Sequence, residues 1–139
     1  MIIALDTNIL AALLYQEDTQ TDVADALLSA RREGELLICG TVYAELLAGP
    51  QGDEAALDRF LSSTDIQTDW QINEALWREA GRAYHAYAQR RRTSGGGQPR
   101  RLLADFVIGA HALGHAGQLL TLDAQQYQTG FPALKLLTL

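Results

Sequence analysis

Residues 1–14 read MIIALDTNILAALL, and the fold turns on how this stretch is parsed. An apolar, β-branched run (Ile2, Ile3, Ala4, Leu5) stops on Asp6-Thr7-Asn8, and an apolar stretch resumes at once. Four apolar residues with β-branching at the start read as a short buried strand. ILAALLY is apolar on every turn and reads as a short helix. Asp6 then stands between two buried elements, either as the cap of the helix or as a charge at the mouth of a pocket.

The same grammar repeats along the chain. LLIC at 36–39 and QLLTL at 118–122 are further short apolar runs, each followed by a polar turn and a helical pattern. Before LLIC the period changes to that of a helix at 19–32, with Val23, Ala26, Leu27 and Ala30 on one face and Gly34 as its stop. Thr41 is a plausible cap for VYAELLAG, which Gly49-Pro50 ends. A helix at 53–61 precedes a weak strand at 65–67. The longest helix spans 71–91, with Ile72, Leu76, Ala80, Ala83, Tyr84 and Tyr87 near the helical period. LLADFVIGAHALGHAG at 102–117 is apolar nearly all round and reads as a buried helix, and LKLLTL closes as a last strand. The order is β-α-α-β-α-α-β-α-α-β-α-β. Short apolar strands alternating with helices predict an α/β fold, a three-layer α/β/α sandwich around a central parallel sheet.

The 139 residues fit one domain over 1–139 and carry enough apolar material to bury a core. No stretch reaches the length of a membrane-spanning helix, and MIIAL lacks a basic leader and is too short for a secretion signal. The single cysteine, Cys39, excludes an internal disulfide and a Cys-rich zinc site. The expectation is a soluble, cytoplasmic protein with no membrane partner. The net charge of −6 argues mildly against nucleic acid as a partner, yet five of the eleven basic residues (Arg90, Arg91, Arg92, Arg100, Arg101) fall within 90–101, around the low-complexity stretch TSGGGQP.

Four acids sit in apolar surroundings: Asp6, Glu45, Asp105 and Asp123. In a parallel α/β sheet, ligands bind beyond the carboxyl ends of the strands. Asp6 and Asp123 each follow a strand; Glu45 and Asp105 lie early in helices that follow strands, so all four can converge on one rim. Clustered ionised carboxylates repel one another, and the cluster must take up protons, pair with Arg or Lys, or hold a cation. No basic residue lies near Asp6, Glu45 or Asp123 in sequence, although Arg100 and Arg101 lie near Asp105. An oxygen-only donor set without an internal cation suits Mg²⁺ or Mn²⁺, which activates water and stabilises charge on a phosphodiester. Each acid also has a plainer reading. Asp6 and Asp123 are capping residue types, Glu45 is a solvated helix position, and only Asp105, beside Leu102, Leu103, Phe106 and Val107, has little exposed face to occupy. Four such coincidences at one edge favour the site.

Taken together, LDTNIL at 5–10, VYAELLAG at 42–49, ADFVIGAHAL at 104–113 and TLDAQQY at 121–127 resemble the four motifs of the PIN-domain family, in order and over nearly the whole chain. The resemblance implies the parallel-sheet sandwich, a cluster of Asp6, Glu45, Asp105 and Asp123, and Mg²⁺- or Mn²⁺-dependent ribonuclease activity. Asp6, Asp105 and Asp123 would hold the metal, and Glu45 would ligate it or orient the attacking water. In size the chain is similar to the VapC toxins of toxin–antitoxin pairs, which implies a structured RNA substrate such as tRNA, a cognate antitoxin and a homodimer. Thr7, Asn8 and Thr121 read either as supports that orient the aspartates or as caps.

Some features depart from the pattern. The basic RRRTSGGGQPRR insert is longer than usual and reads as an RNA clamp through Arg90, Arg91, Arg92, Arg100 and Arg101, as an antitoxin contact, or as a solvated tether. Tyr127 stands where phenylalanine is commoner, which reads as a packing change. His111 and His115 lie four apart, a metal-like spacing, but on a buried helix structural histidines are the favoured reading. Two rivals stand beside the nuclease. A haloacid-dehalogenase-type aspartyl-phosphate phosphatase wants a second aspartate where Asn8 stands, and a catalytic lysine where the chain offers only Lys135. A non-catalytic module would use the acid rim to bind a cation or a basic peptide.

Overall fold

The computed structural model describes residues 1–95 and 102–139. The basic pair Arg100 and Arg101 and most of the glycine-rich stretch lie outside the described residues.

Five strands, β1 (Ile2–Leu5), β2 (Glu35–Cys39), β3 (Ile66–Asp69), β4 (Gln118–Leu120) and β5 (Lys135–Leu137), form one sheet in the order β3-β2-β1-β4-β5, and every pairing is parallel. The helices α1 (Thr7–Leu14), α2 (Gln20–Glu33), α3 (Gly40–Leu47), α4 (Glu54–Ser63), α5 (Glu74–Thr93), α6 (Leu103–His115) and α7 (Gln125–Gln128) flank it. The result is the expected α/β/α arrangement with the expected order of elements. The chain first builds outward from β1 through β2 to β3, then returns to the other side of β1 with β4. The order therefore reverses between β1 and β4, and the crevice beyond their carboxyl ends is where such sheets bind ligands.

β1 is central and buried to its end, with Ile3 and Leu5 inaccessible or nearly so. Ile9, Leu10, Val23, Ile38, Val42 and Leu119 complete a core in which both sheet faces are covered. Such burial, at roughly 1.5–3 kcal/mol for each large apolar side chain, is the main favourable term holding the layers together. α6 is buried without interruption from Phe106 to Ala112, as its all-round apolar sequence requires.

Boundaries differ from the sequence reading in instructive ways. α3 begins at Gly40, with Cys39 in the cap position and no side-chain cap, so Thr41 lies inside the first turn. The strand simply runs into the helix: the extended Cys39 ends β2 while still paired with Asp69 of β3. α5 begins at Glu74 because the Asn73 side chain accepts a hydrogen bond from the Leu76 N–H (3.0 Å). α4 is capped in the same way by Asp53, which accepts from Ala56 N–H at 3.0 Å. At the start of α6, Leu102 and Leu103 are exposed (69% and 48%), against the expectation that they close off Asp105, which is half-buried. The buried face of this helix starts one residue after the aspartate.

Candidate active site

The end of β1 delivers Asp6 into the crevice. Its backbone N–H bonds the carbonyl of Leu120 at the end of β4 (3.0 Å), so the residue is pinned at the strand-order reversal. It occupies the cap position of α1, and its Oδ1 accepts from the N–H of the next residue, Thr7, at 2.7 Å. The other oxygen faces away from the helix: Oδ2 accepts from the Thr121 hydroxyl (2.8 Å) and from the Tyr127 hydroxyl (2.9 Å). Asp6 is only 5% exposed. Its capping and pocket readings are thus both met, by different oxygens.

The supporting residues tie the loops together. Thr7 donates its hydroxyl to Glu45 Oε1 at 2.6 Å, joining the start of α1 to the second turn of α3. Asn8 bridges the β1 and β4 loops: its Oδ1 accepts from Leu122 N–H (3.1 Å), and its Nδ2 lies 3.5 Å from Thr121 Oγ1. Thr121 is fully buried, and it also accepts from the Asp123 N–H at 3.0 Å. The two strand ends are therefore cross-braced through hydroxyl and amide groups, which fixes where the acids point.

Electrostatics link two further acids to this group. Burial holds the Asp6 carboxyl above its ordinary range; the bonds from Thr121, Tyr127 and Thr7 pull it back, and the charge of Asp105 pushes it up again. The Tyr127 hydroxyl is raised by burial first, then by Asp6, and also by the charges of Asp105 and Glu45. The charges of Asp6, Glu45 and Asp105 thus all bear on the Tyr127 hydroxyl. Asp123 is exposed and reaches this network through its backbone N–H.

All three donors to Asp6 are neutral, Glu45 is bonded to a threonine, and none of Asp6, Glu45 and Asp123 has a basic partner among the described residues. A buried carboxylate with one lone-pair site left on Oδ1, under the charge of a further acid, fits a hard divalent cation with oxygen ligands.

Two polar contacts escaped the sequence reading. Tyr127 packs its ring in the core as expected, but its hydroxyl also holds Asp6. The only available signal was the hydroxyl itself. The second is made by Asp69 at the end of β3, whose Oδ2 lies 2.9 Å from His111 Nε2. The arginines are split. Arg90 and Arg92 are exposed at the end of α5, and Arg91 is half-buried. Arg90 also lines a surface depression with Tyr87, Phe106, Thr129 and Gly130.

A family model described as PIN domain matches residues 3–132. Solved structures of VapBC and FitAcB are among those that share the fold. VapBC-1 from nontypeable Haemophilus influenzae superposes with a TM-score of 0.69 at 21% identity, covering 99% of this chain and 98% of the other. VapBC2 from Rickettsia felis, bound to a DNA fragment from their promoter, gives 0.65 at 21% identity with the same coverage, 99% and 98%. FitAcB from Neisseria gonorrhoeae gives 0.63 at 20% identity, covering 96% and 95%. No curated protein matches the sequence significantly.

Proposed function

Since the chain belongs to the PIN domain family, we propose that the carboxylate rim is the centre of a metal-dependent endoribonuclease and that the chain is the toxin of a toxin–antitoxin pair. The observation that carries the nuclease reading is Asp6: a buried carboxylate held only by neutral donors, with the charges of Asp105 and Glu45 around it. The charges of Asp6 and Glu45, which have no basic partner among the described residues, would repel the phosphates of RNA, and a cation removes that conflict. Asp6, Asp105 and Asp123 would hold Mg²⁺ or Mn²⁺, which supplies a Lewis acid for the phosphodiester and a lower pKa for a bound water. Glu45, kept in place by Thr7, would orient the water for in-line attack. Thr121 and Asn8 would keep the two strand ends at a fixed separation. Hydrolysis of this kind leaves 5′-phosphate and 3′-hydroxyl ends.

The toxin reading rests on the family and on the fold shared with VapBC assemblies. It brings with it a structured RNA substrate, an antitoxin that covers the rim, and a homodimer. Asn8 weighs against the phosphatase alternative. It spends its amide bridging the loops after β1 and β4, and offers no acid where that chemistry needs one.

The test is direct. Wild-type, Asp6→Asn and Asp105→Asn chains are expressed and purified, and RNA cleavage is followed with Mg²⁺ or Mn²⁺. Both variants should lose activity by at least about a hundredfold, as removal of a charge-stabilising group does. In cells, growth arrest and new discrete RNA 5′ ends should appear with wild type and not with Asp6→Asn. Cleavage at the wild-type rate by both variants would remove the rim from the chemistry, and metal and RNA binding without turnover would leave a binding module.

A further inference from the structure

Away from the rim residues just described, the fold assembles a second group of donors. Asp69 ends the edge strand β3, and His111 and His115 project from α6 one turn apart. Residues four apart lie on the same helix face, so the spacing alone aligns the two imidazoles. Their rings stand 4.8 Å apart between centroids. The carboxylate arrives from a different element, 42 residues earlier in the chain, and its Oδ2 lies 2.9 Å from His111 Nε2 and 3.6 Å from His115 Nε2. One ligand atom from each of the three falls within 4.8 Å of the others.

We infer that Asp69, His111 and His115 form a second metal site, for a first-row transition ion such as Zn²⁺, separate from the carboxylate rim. The donor distances support this. Ligand atoms about 2.0–2.1 Å from a tetrahedral ion stand about 3.3 Å from one another, and the two measured carboxylate–imidazole separations bracket that value. Two imidazoles and one carboxylate are the donor set that zinc, cobalt and nickel take in preference to magnesium, whereas the all-oxygen rim prefers the hard ions. Burial is graded as such a site requires. His111 is buried, Asp69 is a quarter exposed and His115 is 40% exposed, so one side stays open for an ion to enter and for water to complete its coordination.

The protonation states agree with the geometry. Burial lowers the His111 pKa, against the opposing pull of Asp69, so its imidazole is neutral near pH 7. Burial pushes the Asp69 carboxyl up, but bonds from His111 and from the Gln71 N–H outweigh it and hold the group ionised. In the ion-free chain His111 Nε2–H donates to Asp69. On metal binding that proton passes to Nδ1, and the freed Nε2 lone pair goes to the ion. The ion would tie the end of β3 to the last turns of α6, the helix that carries Asp105 at its other end.

A buried histidine bonded to an aspartate, with no ion, is the competing account, and zinc titration separates the two. Untagged chain is titrated with Zn²⁺ by calorimetry in millimolar Mg²⁺, comparing wild type, His115→Ala, His115→Gln and Asp6→Asn. Wild type should bind one Zn²⁺ with a Kd in the micromolar range or below. Both His115 variants should bind at least tenfold more weakly while melting like wild type in chelator, since that side chain is 40% exposed and belongs to the last residue of α6. Asp6→Asn should bind as wild type does, whether or not the rim is a nuclease centre. Co²⁺ should give visible bands of a four-coordinate ion with wild type and none with His115→Ala. Equal Zn²⁺ affinity in wild type and both His115 variants, or loss of the site in Asp6→Asn, would overturn the assignment.

Discussion

Burying Asp6 in ionised form costs free energy that three neutral donors return only in part, which is why its pKa sits above the ordinary value. The folded chain therefore keeps this proton to a higher pH than the unfolded chain does. Stability of the cation-free protein falls as pH rises through that interval, and above it the full cost is present. Asp6→Asn removes the charge and keeps the shape. Its Oδ1 can still accept from Thr7, and its amide can donate to the hydroxyl oxygens of Thr121 and Tyr127. In chelator near neutral pH the variant should melt a few degrees above wild type, and the gap should close as pH falls through the raised pKa. Adding Mg²⁺ should raise the wild-type Tm and leave the variant unmoved, because only the wild type gains a ligand. A variant that melts below wild type in chelator would mean that the charge is already compensated. Tyr127→Phe asks the complementary question. The ring keeps its place, but Asp6 loses one donor, at a cost of about 1–2 kcal/mol. With less support for its charged form, Asp6 should titrate higher still. The acid limb of the kcat/KM–pH profile should then move to higher pH while the alkaline limb stays.

At the scale of elements, α6 is the strut that carries both Asp105 and the histidine pair, and glycine lets it sit where it does. A Cβ at Gly109 would come within 3.0 Å of three ring atoms of Phe131, which is itself buried. Gly81, on the exposed face of α5, has nothing within 4 Å of the same atom. One substitution should therefore have opposite signs in neighbouring helices. Gly81→Ala gains helix propensity and should stabilise by up to about 1 kcal/mol. Gly109→Ala gains the same propensity but overpacks a full core, which costs about 1–3 kcal/mol, so it should destabilise overall and, by moving α6, lower activity as well. Denaturant melts of the two variants measure the pair; equal shifts would show that Phe131 yields freely.

The elements themselves were legible in the sequence because most strands are short, apolar and closed by polar turn residues, and their alternation with helices pointed to the parallel arrangement. What escaped depended on the meeting of distant segments. β3 is an edge strand with a single apolar residue, Ile66, at its start, and the sequence reading closed it at Gln67. Asp69 was not recognised as standing at a strand end, and its pairing with His111 could not be read from either local pattern. The Tyr127 hydroxyl was hidden for the same reason: its partner Asp6 is 121 residues away. Periodicity reports which face of an element is buried, not which polar atom faces it across the crevice.

For the molecule as a whole, a net charge of −6 is at odds with an RNA substrate unless positive potential is gathered locally. The end of α5 does this with Arg90, Arg91 and Arg92, and Arg90 lines a depression with Phe106, the residue that follows Asp105 in the chain. Those arginines also suit a helix C-terminus on electrostatic grounds alone, worth about 0.3–1 kcal/mol each at low salt. The two roles leave different signatures. Arg90→Ser with Arg92→Ser, the two exposed positions, is placed in an Asp6→Asn chain so that RNA is bound and not cut. If these side chains meet phosphates, the fall of log K with log salt should become shallower by about 0.7 for each phosphate that is no longer neutralised. Affinity at low salt should drop several-fold, while the variant and its parent bind alike at high salt. If the arginines serve only the helix end, Tm should fall by a few degrees at low salt and the salt slope of RNA binding should stay as it was. Fluorescence anisotropy across a salt series, with a melt at each salt, separates the two. The slope is the decisive quantity, because helix-end stabilisation does not change the number of counterions that RNA releases.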